Sequence, residues 1–276
     1  MNPLQAFALL ISGALPQSLK YRLAARLPFA RRVYAALLRA GGPVFETPSG
    51  PAAGLRWRIT PYIQRHTLLG LVGPEVQRVL VAKVLKGWVA YHLEANLGFY
   101  TLLLAKLVAP EGRVISFEPS PAVRHELEAH VALNALRHVQ VLPYAIADRN
   151  GPVHFHIADS PLLSAIVPQR HRSTITVECR TLDSLVFEQG LPAPNLIRMN
   201  IEGAEALAIA GAGRLLARHP PLLVCEVHSA DLLKAIEGRL GPGWYSTLLT
   251  PRKDNINYYL FEPAAGLYVP PAEQPS

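Results

Sequence analysis

Charge is sparse along this chain, and acid is missing altogether from its beginning. Only 17% of the 276 residues are charged and half are hydrophobic, a balance that excludes wholesale disorder. No Asp or Glu precedes Glu46, whereas Lys20, Arg22, Arg26, Arg31, Arg32 and Arg39 all fall before it. Beyond that point twenty-one basic residues face twenty acidic ones, so the net charge of +7 belongs to an N-terminal arm. A chain-wide nucleic-acid surface is therefore not indicated. Cysteine is equally scarce. Cys179 and Cys225 lie far apart and outside any C-x-x-C spacing, which excludes a disulfide scaffold and the usual zinc patterns. They read as buried free thiols in a reducing cytoplasm, with one disulfide left open. Long apolar runs are missing too. The stretch from Ala6 to Leu15 falls well short of the ~20 residues a spanning helix needs. With no basic segment before it and no A-x-A-like site after it, it is a poor secretory signal.

The arm itself carries Leu19, Leu23, Leu27, Val33, Leu37 and Leu38 at helical spacing between its arginines. Such a helix can rest on an anionic membrane face through residues 1–40, or simply cap the domain with its arginines solvated. Residues 1–60 read as this arm plus two short strands around a Pro-Ser-Gly-Pro turn, 61–266 as the main domain, and 267–276 as an unpacked tail. From Glu75 to Leu85 apolar residues recur at three and four, predicting a helix. Strands and helices then alternate. Trp88–Leu93, Arg113–Phe117, Val139–Pro143, Asn195–Ile201 and Pro221–Val227 read as strands. Phe99–Leu107, Pro121–Leu136, Ala204–Ala217 and Ser229–Leu240 read as helices. This is an α/β pattern, a mostly parallel sheet with helices on both faces. In the middle, Asn150-Gly151 favours a hairpin, with strands at Val153–Ile157 and Ser173–Cys179. The closing strands, Ser246–Leu249 and Asn257–Phe261, have no long helix between them, which predicts an antiparallel strand near the C-terminal edge.

In open α/β sheets ligands bind at the carboxyl ends of the strands, where strand order reverses. The first such turn is His92-Leu-Glu-Ala-Asn-Leu-Gly98. A glycine entering a helix allows close backbone approach, and the helix N-terminus offers free N–H groups. Glu118 ends the next strand, where an acid can accept bonds from both ribose hydroxyls. A single glycine in the turn disfavours a dinucleotide-dependent dehydrogenase, whose fingerprint wants three. His154 and His156 share one strand face, but no third metal ligand is evident, and they read as ordinary strand histidines.

The runs GWVAYHLEANLGFYT (87–101), RVISFEPSP (113–121), NALRHVQVLPYAIADRNG (134–151), TLDSL (181–185), NLIRMNIEGAE (195–205) and PPLLVCEVH (220–228) resemble, in order and spacing, the FkbM family of S-adenosylmethionine-dependent O-methyltransferases. The resemblance covers roughly residues 70–228 and implies a Rossmann-like sheet. It implies cofactor contacts at His92, Glu94, Ala95, Asn96 and Gly98, ribose binding at Glu118 and Pro119, and adenine at Ala147 and Asp148. The acceptor side falls to Asn200, Glu202 and His228, with SPLLSAI (160–166) in the place of a serine-containing loop. Three positions depart from the family. It has Asp where this chain has His92, Gly where it has Glu94, and Asp where it has Asn200. A left-handed conformation at Glu94 would cost about 1–2 kcal/mol, and Asn200 can orient a hydroxyl without accepting its proton. Glu94 can supply, two residues on, the carboxylate that His92 lacks. The resemblance implies methyl transfer to a hydroxyl of a sugar, glycolipid or secondary metabolite. The departures leave open a descendant that keeps the fold as a binding module. The run after Asn200 is unlike that of amino-methylating nucleic-acid enzymes.

Overall fold

The computed structural model describes residues 44–59, 63–157, 164–167, 174–250 and 256–264. The basic helices expected before residue 40, the tail 267–276 and residues 160–163 lie outside the described residues. Strands β1 (Val44–Glu46) and β2 (Arg56–Arg58) pair antiparallel across the expected turn. Helices α1 (Arg65–Leu68) and α2 (Pro74–Lys83) follow. The alternating section then runs β3 (Val89–Leu93), α3 (Phe99–Val108), β4 (Arg113–Phe117), α4 (Pro121–Leu133), β5 (Val139–Leu142). An insertion comes next, with strands β6 (Tyr144–Ile146), β7 (Gly151–Ile157), β8 (Ser164–Val167) and β9 (Thr174–Arg180) and helix α5 (Leu182–Phe187). Alternation resumes with β10 (Leu196–Met199), α6 (Glu205–Ala210), α7 (Gly213–Arg218), β11 (Leu222–Val227) and α8 (Ala230–Leu240). The chain closes on β12 (Trp244–Thr250) and β13 (Asn257–Pro263).

The main sheet has the order β12-β13-β11-β10-β3-β4-β5. Its strands from β11 across to β5 are parallel, and β13 lies antiparallel to both β11 and β12. This is the doubly wound arrangement the sequence predicts, with its antiparallel edge. From β3 the chain winds outward to β4 and β5, then returns to β10 and winds the other way, so the order reverses between β3 and β10. The site is expected at that reversal.

Strands buried on both faces read as near-continuous apolar runs, and the two faces separate by residue parity. Ala90 and Val114 pack with Trp57, Leu80, Leu102 and Leu103 on one side. Tyr91, Leu93, Ile115 and Phe117 pack with Met199, Ile209, Leu215 and Ile236 on the other. Each fully buried Leu or Phe contributes about 1.5–3 kcal/mol. Trp57 fastens the N-terminal pair to the domain. It is wholly buried, donates from Nε1 to Thr47 Oγ1 at 2.9 Å, and stacks on Phe99, the first residue of α3. Lys106 reaches back from the other end of α3 to the carbonyls of Pro51 and Ala53. Both cysteines are free and buried.

The insertion corrects three expectations. Its strands form a second sheet, ordered β6-β9-β7-β8. Asn150-Gly151 therefore does not close a hairpin, because β9 lies between β6 and β7. The Asn150 Oδ1 instead accepts from the Thr181 N–H and the Ser184 hydroxyl at 2.9 Å each. It thereby secures the start of α5, a helix that sequence periodicity does not separate from its surroundings. Ser164 to Val167, expected in a loop, is strand β8 paired antiparallel with β7. The single helix expected from Ala204 to Ala217 breaks at Gly211, where a Cβ would stand 2.2 Å from the Ala147 carbonyl oxygen. Only glycine allows the chain to approach the Ala147 backbone that closely.

Candidate active site

The turn leaving β3 is built from left-handed backbone. Glu94 (φ 54), Asn96 (φ 52) and Gly98 (φ 95) all adopt positive φ. Only glycine does so without penalty, and a non-glycine residue costs about 1–2 kcal/mol. A ring of hydrogen bonds holds the turn in place. Ala95 N–H donates to Phe117 O at 2.9 Å, and Leu97 N–H to the Asn96 Oδ1 at 2.7 Å. His130 Nδ1 meets Leu97 O at 2.9 Å. Asn96 N–H donates to Glu118 Oε2 at 2.8 Å, while Glu118 Oε1 accepts from Ser120 N–H at 2.9 Å. The Glu118 carboxyl thus joins the first turn to the second. Burial pushes it up to about 7, against those two N–H groups and Arg124, which favour its charged form.

A cavity of about 280 Å³ opens over this turn. His92, Glu94, Ala95, Asn96 and Gly98 line it, joined from β10 and its exit by Arg198, Asn200 and Glu202. Phe99 and Tyr100, at the N-terminus of α3, face the same space, and the first N–H groups of a helix have no intrahelical partner. Of the expected cofactor residues, Pro119 lines a separate hollow of about 10 Å³, walled by Tyr144, Ile146, Phe155 and Ile201. That is about the space of one water. Glu118, Ala147 and Asp148 line neither. Of the residues lining these two hollows, Glu94 is common to both.

Charges of both signs face the larger cavity. Arg198 is 5% exposed, sits 4.4 Å over the Tyr100 ring and lies 3.9 Å from Glu226. The sequence reading missed it, although an arginine inside a central strand is a signal in itself, since buried arginines are rare unless paired. Burial and then the charges of Glu118, Glu202 and Glu205 hold the Glu94 carboxyl well above the usual range, opposed by Arg198. His92 is buried and kept well below its ordinary value by desolvation and by Arg198. Its Nδ1 lies 2.8 Å from Thr101 Oγ1, itself 2.8 Å from Ser116 Oγ. Its Nε2 has no hydrogen-bond partner among the described residues.

At the exit of β10 a second left-handed turn, Glu202 (φ 50) and Gly203 (φ 98), leads into α6. Asn200 Oδ1 lies 3.3 Å from His228 Nε2, brought alongside by the end of β11. Asn200 and Glu202 face the cavity and His228 stands behind Asn200, so all three expected acceptor-side residues gather at one corner. Among the described residues no group of three His, Cys, Asp or Glu could hold a metal, and no helix is long and apolar enough to cross a membrane.

Residues 92–238 match the family described as Methyltransferase FkbM domain. The chain belongs to the FkbM methyltransferase family. The match begins within β3 and ends within α8, spanning the turn, the Asn200 corner and the cavity linings apart from Gln64, His66, Thr67 and Val72. The 2-O-methyltransferase NoeI of Sinorhizobium fredii is 31% identical over 126 residues, 40% of this chain and 51% of that protein. The chain thus spans about half the length of that curated relative. Among solved structures, an FkbM methyltransferase from Methylobacillus flagellatus KT aligns at 18% identity and TM-score 0.49, over 63% of this chain and 43% of that one. Aeropyrum pernix fibrillarin with natively bound S-adenosyl-L-methionine aligns at 10% identity and TM-score 0.44, over 67% and 72%.

Proposed function

We propose that the chain is an S-adenosylmethionine-dependent O-methyltransferase acting on a hydroxyl of a sugar, glycolipid or secondary metabolite. The observation that carries this is the cavity at the β3–β10 reversal, where Arg198 faces carboxyl groups at Glu94 and Glu202 over the start of α3. An amino-acid zwitterion needs both signs of charge within a few ångströms, so the residues fit the charged half of the cofactor. Its adenine half would have to enter beside Pro119 and Tyr144, where the apolar hollow holds about one water. When bound, the cofactor supplies a methyl group already activated on a sulfonium.

The remaining work belongs to the chain. Arg198 meets a carboxylate, Glu94 an ammonium, and the α3 N-terminus presents backbone N–H groups. Gln64, Thr67 and Asn200 give the cavity a polar rim suited to a polyhydroxyl acceptor. Positioning supplies much of the acceleration. Asn200 orients the acceptor hydroxyl, and Glu202, on the cavity wall beside it, receives its proton. The name of the NoeI relative agrees with transfer to oxygen. Calorimetric titration with S-adenosylmethionine tests the reading: saturable binding, competed by S-adenosylhomocysteine, is expected. A second reading, a binding module that has lost the reaction, is favoured by the small size of that hollow. An absence of heat with either nucleoside would select it.

A further inference from the structure

The two edges of the main sheet are finished differently. β5 is four residues long and mostly half-buried, the short form that discourages edge pairing. β12 is seven residues long, and among the described strands it pairs only with β13. Its sequence, WYSTLLT, holds no charged residue and no proline, the usual devices against strand addition. Pairing with β13 is regular from Trp244 to Leu248 and shifts only beyond that residue. Along this run Tyr245, Ser246, Thr247 and Leu248 are exposed, Tyr245 to 65%.

Exposed apolar side chains gather at the same edge. Of six large ones exposed among the described residues, four are Val81, Leu85, Tyr245 and Leu248. Helices α2 and α8 both pack against β12, and they bury their apolar residues on opposite faces of the sheet. Lys83 Nζ donates to Glu262 Oε1 at 2.7 Å, and Glu262 is the register partner of Tyr245. Val81 and Leu85, two residues either side of Lys83, therefore belong to the same side of the edge as Tyr245. On the other side Ser246 Oγ donates to Glu237 Oε1 of α8 at 2.7 Å, and Leu248 shares that face.

We propose that β12 is a dimer interface, pairing antiparallel with β12 of a second copy into one continuous sheet. A twofold axis normal to the sheet reverses strand direction and keeps each face up. Helix α2 then meets its own copy above the seam, and α8 its own copy below. Apolar groups face apolar groups, and an edge without charge sets no like charges against each other. The same neutrality gives a charged partner nothing to pair with, so the edge best complements itself. A seven-residue strand is about 23 Å long, and a sheet with a helix on either face is roughly 30 Å thick. The edge thus offers on the order of 700 Å², near the ~800 Å² per partner of a stable interface. No residue lining the ligand cavity lies on β12 or α2, so dimerisation does not depend on the proposed reaction.

The test is sedimentation of the full chain over a range of concentrations. Wild type should reach a dimer in the micromolar range. Tyr245→Lys combined with Leu248→Lys, both at exposed positions, should weaken the dimer about a hundredfold. Val44→Lys, also exposed but on β1, should leave it unchanged. A monomeric wild type would overturn the proposal, as would a dimer that survives the paired substitution. Should that variant not fold, hydrogen exchange of wild type on either side of the dimerisation midpoint decides. The amides of residues 244–248 should exchange more slowly in the dimer, and equal protection at both concentrations would sink the idea.

Discussion

His92 on β3 and Arg198 on β10 are register partners in adjacent parallel strands and face the same cavity. An imidazole next to a buried guanidinium stays neutral, and both burial and that charge hold His92 below its ordinary range. In the unfolded chain the same ring takes up a proton below about pH 6.5. Native stability from this residue is therefore present above that value and lost as the pH falls beneath it. His92→Gln should show a smaller loss of Tm than wild type between neutral and acid pH. The difference should approach roughly 1 kcal/mol one unit below the imidazole range. Parallel curves for the two proteins would mean that His92 protonates freely in the fold.

Glu94 combines an unfavourable backbone with an unfavourable side chain. Its φ of 54 suits glycine, and its carboxyl is buried near three other acids. Glu94→Gly should stabilise the protein by about 1–2 kcal/mol in denaturant titrations. With the carboxyl that meets the cofactor's ammonium removed, S-adenosylmethionine should bind about tenfold more weakly, which corresponds to roughly 1.4 kcal/mol. Unchanged stability would show that the turn carries no strain. Tighter binding would show that the carboxyl obstructs the ligand and does not hold it.

Glu118 gives a pH signal of the opposite sign. With its native carboxyl raised to about 7, the folded protein binds more protons than the unfolded chain from about 4.5 upward. Stability from this group is full in acid and declines until the native carboxyl ionises. Glu118→Gln imitates the protonated form at every pH. Relative to wild type, the variant should gain up to roughly 3 kcal/mol between pH 4.5 and 7 and nothing further above. Thermal unfolding in a buffer series reads this directly, and a constant difference would show normal ionisation.

The parallel sheet was legible because each central strand is a short apolar run followed by a helical period. The strand order, and with it the reversal between β3 and β10, comes from the sheet itself. The turn residues His92 to Gly98 and the Asn200–Glu202 corner were legible as strand exits. Three things were hidden. The second sheet pairs β6 and β7 through β9, some thirty residues away in the sequence, and local turn chemistry at Asn150-Gly151 carries no trace of that partner. The break falls at Gly211, packed against the distant Ala147 carbonyl where no side chain fits, a contact the local sequence does not show. Arg198 sits inside a run whose neighbours account for the fold, so its facing His92 emerges only when β10 is laid beside β3.

The Trp57–Phe99 stack and the reach of Lys106 to Pro51 and Ala53 bear on any attempt to shorten the protein. Family similarity starts at residue 92, inside a strand, and a fragment cut there would surrender half of β3 together with the indole against which α3 is braced. The excision would also remove Gln64, Thr67 and Val72, one side of the ligand chamber. The smallest piece worth expressing accordingly reaches back at least to Val44, well upstream of the recognisable family segment.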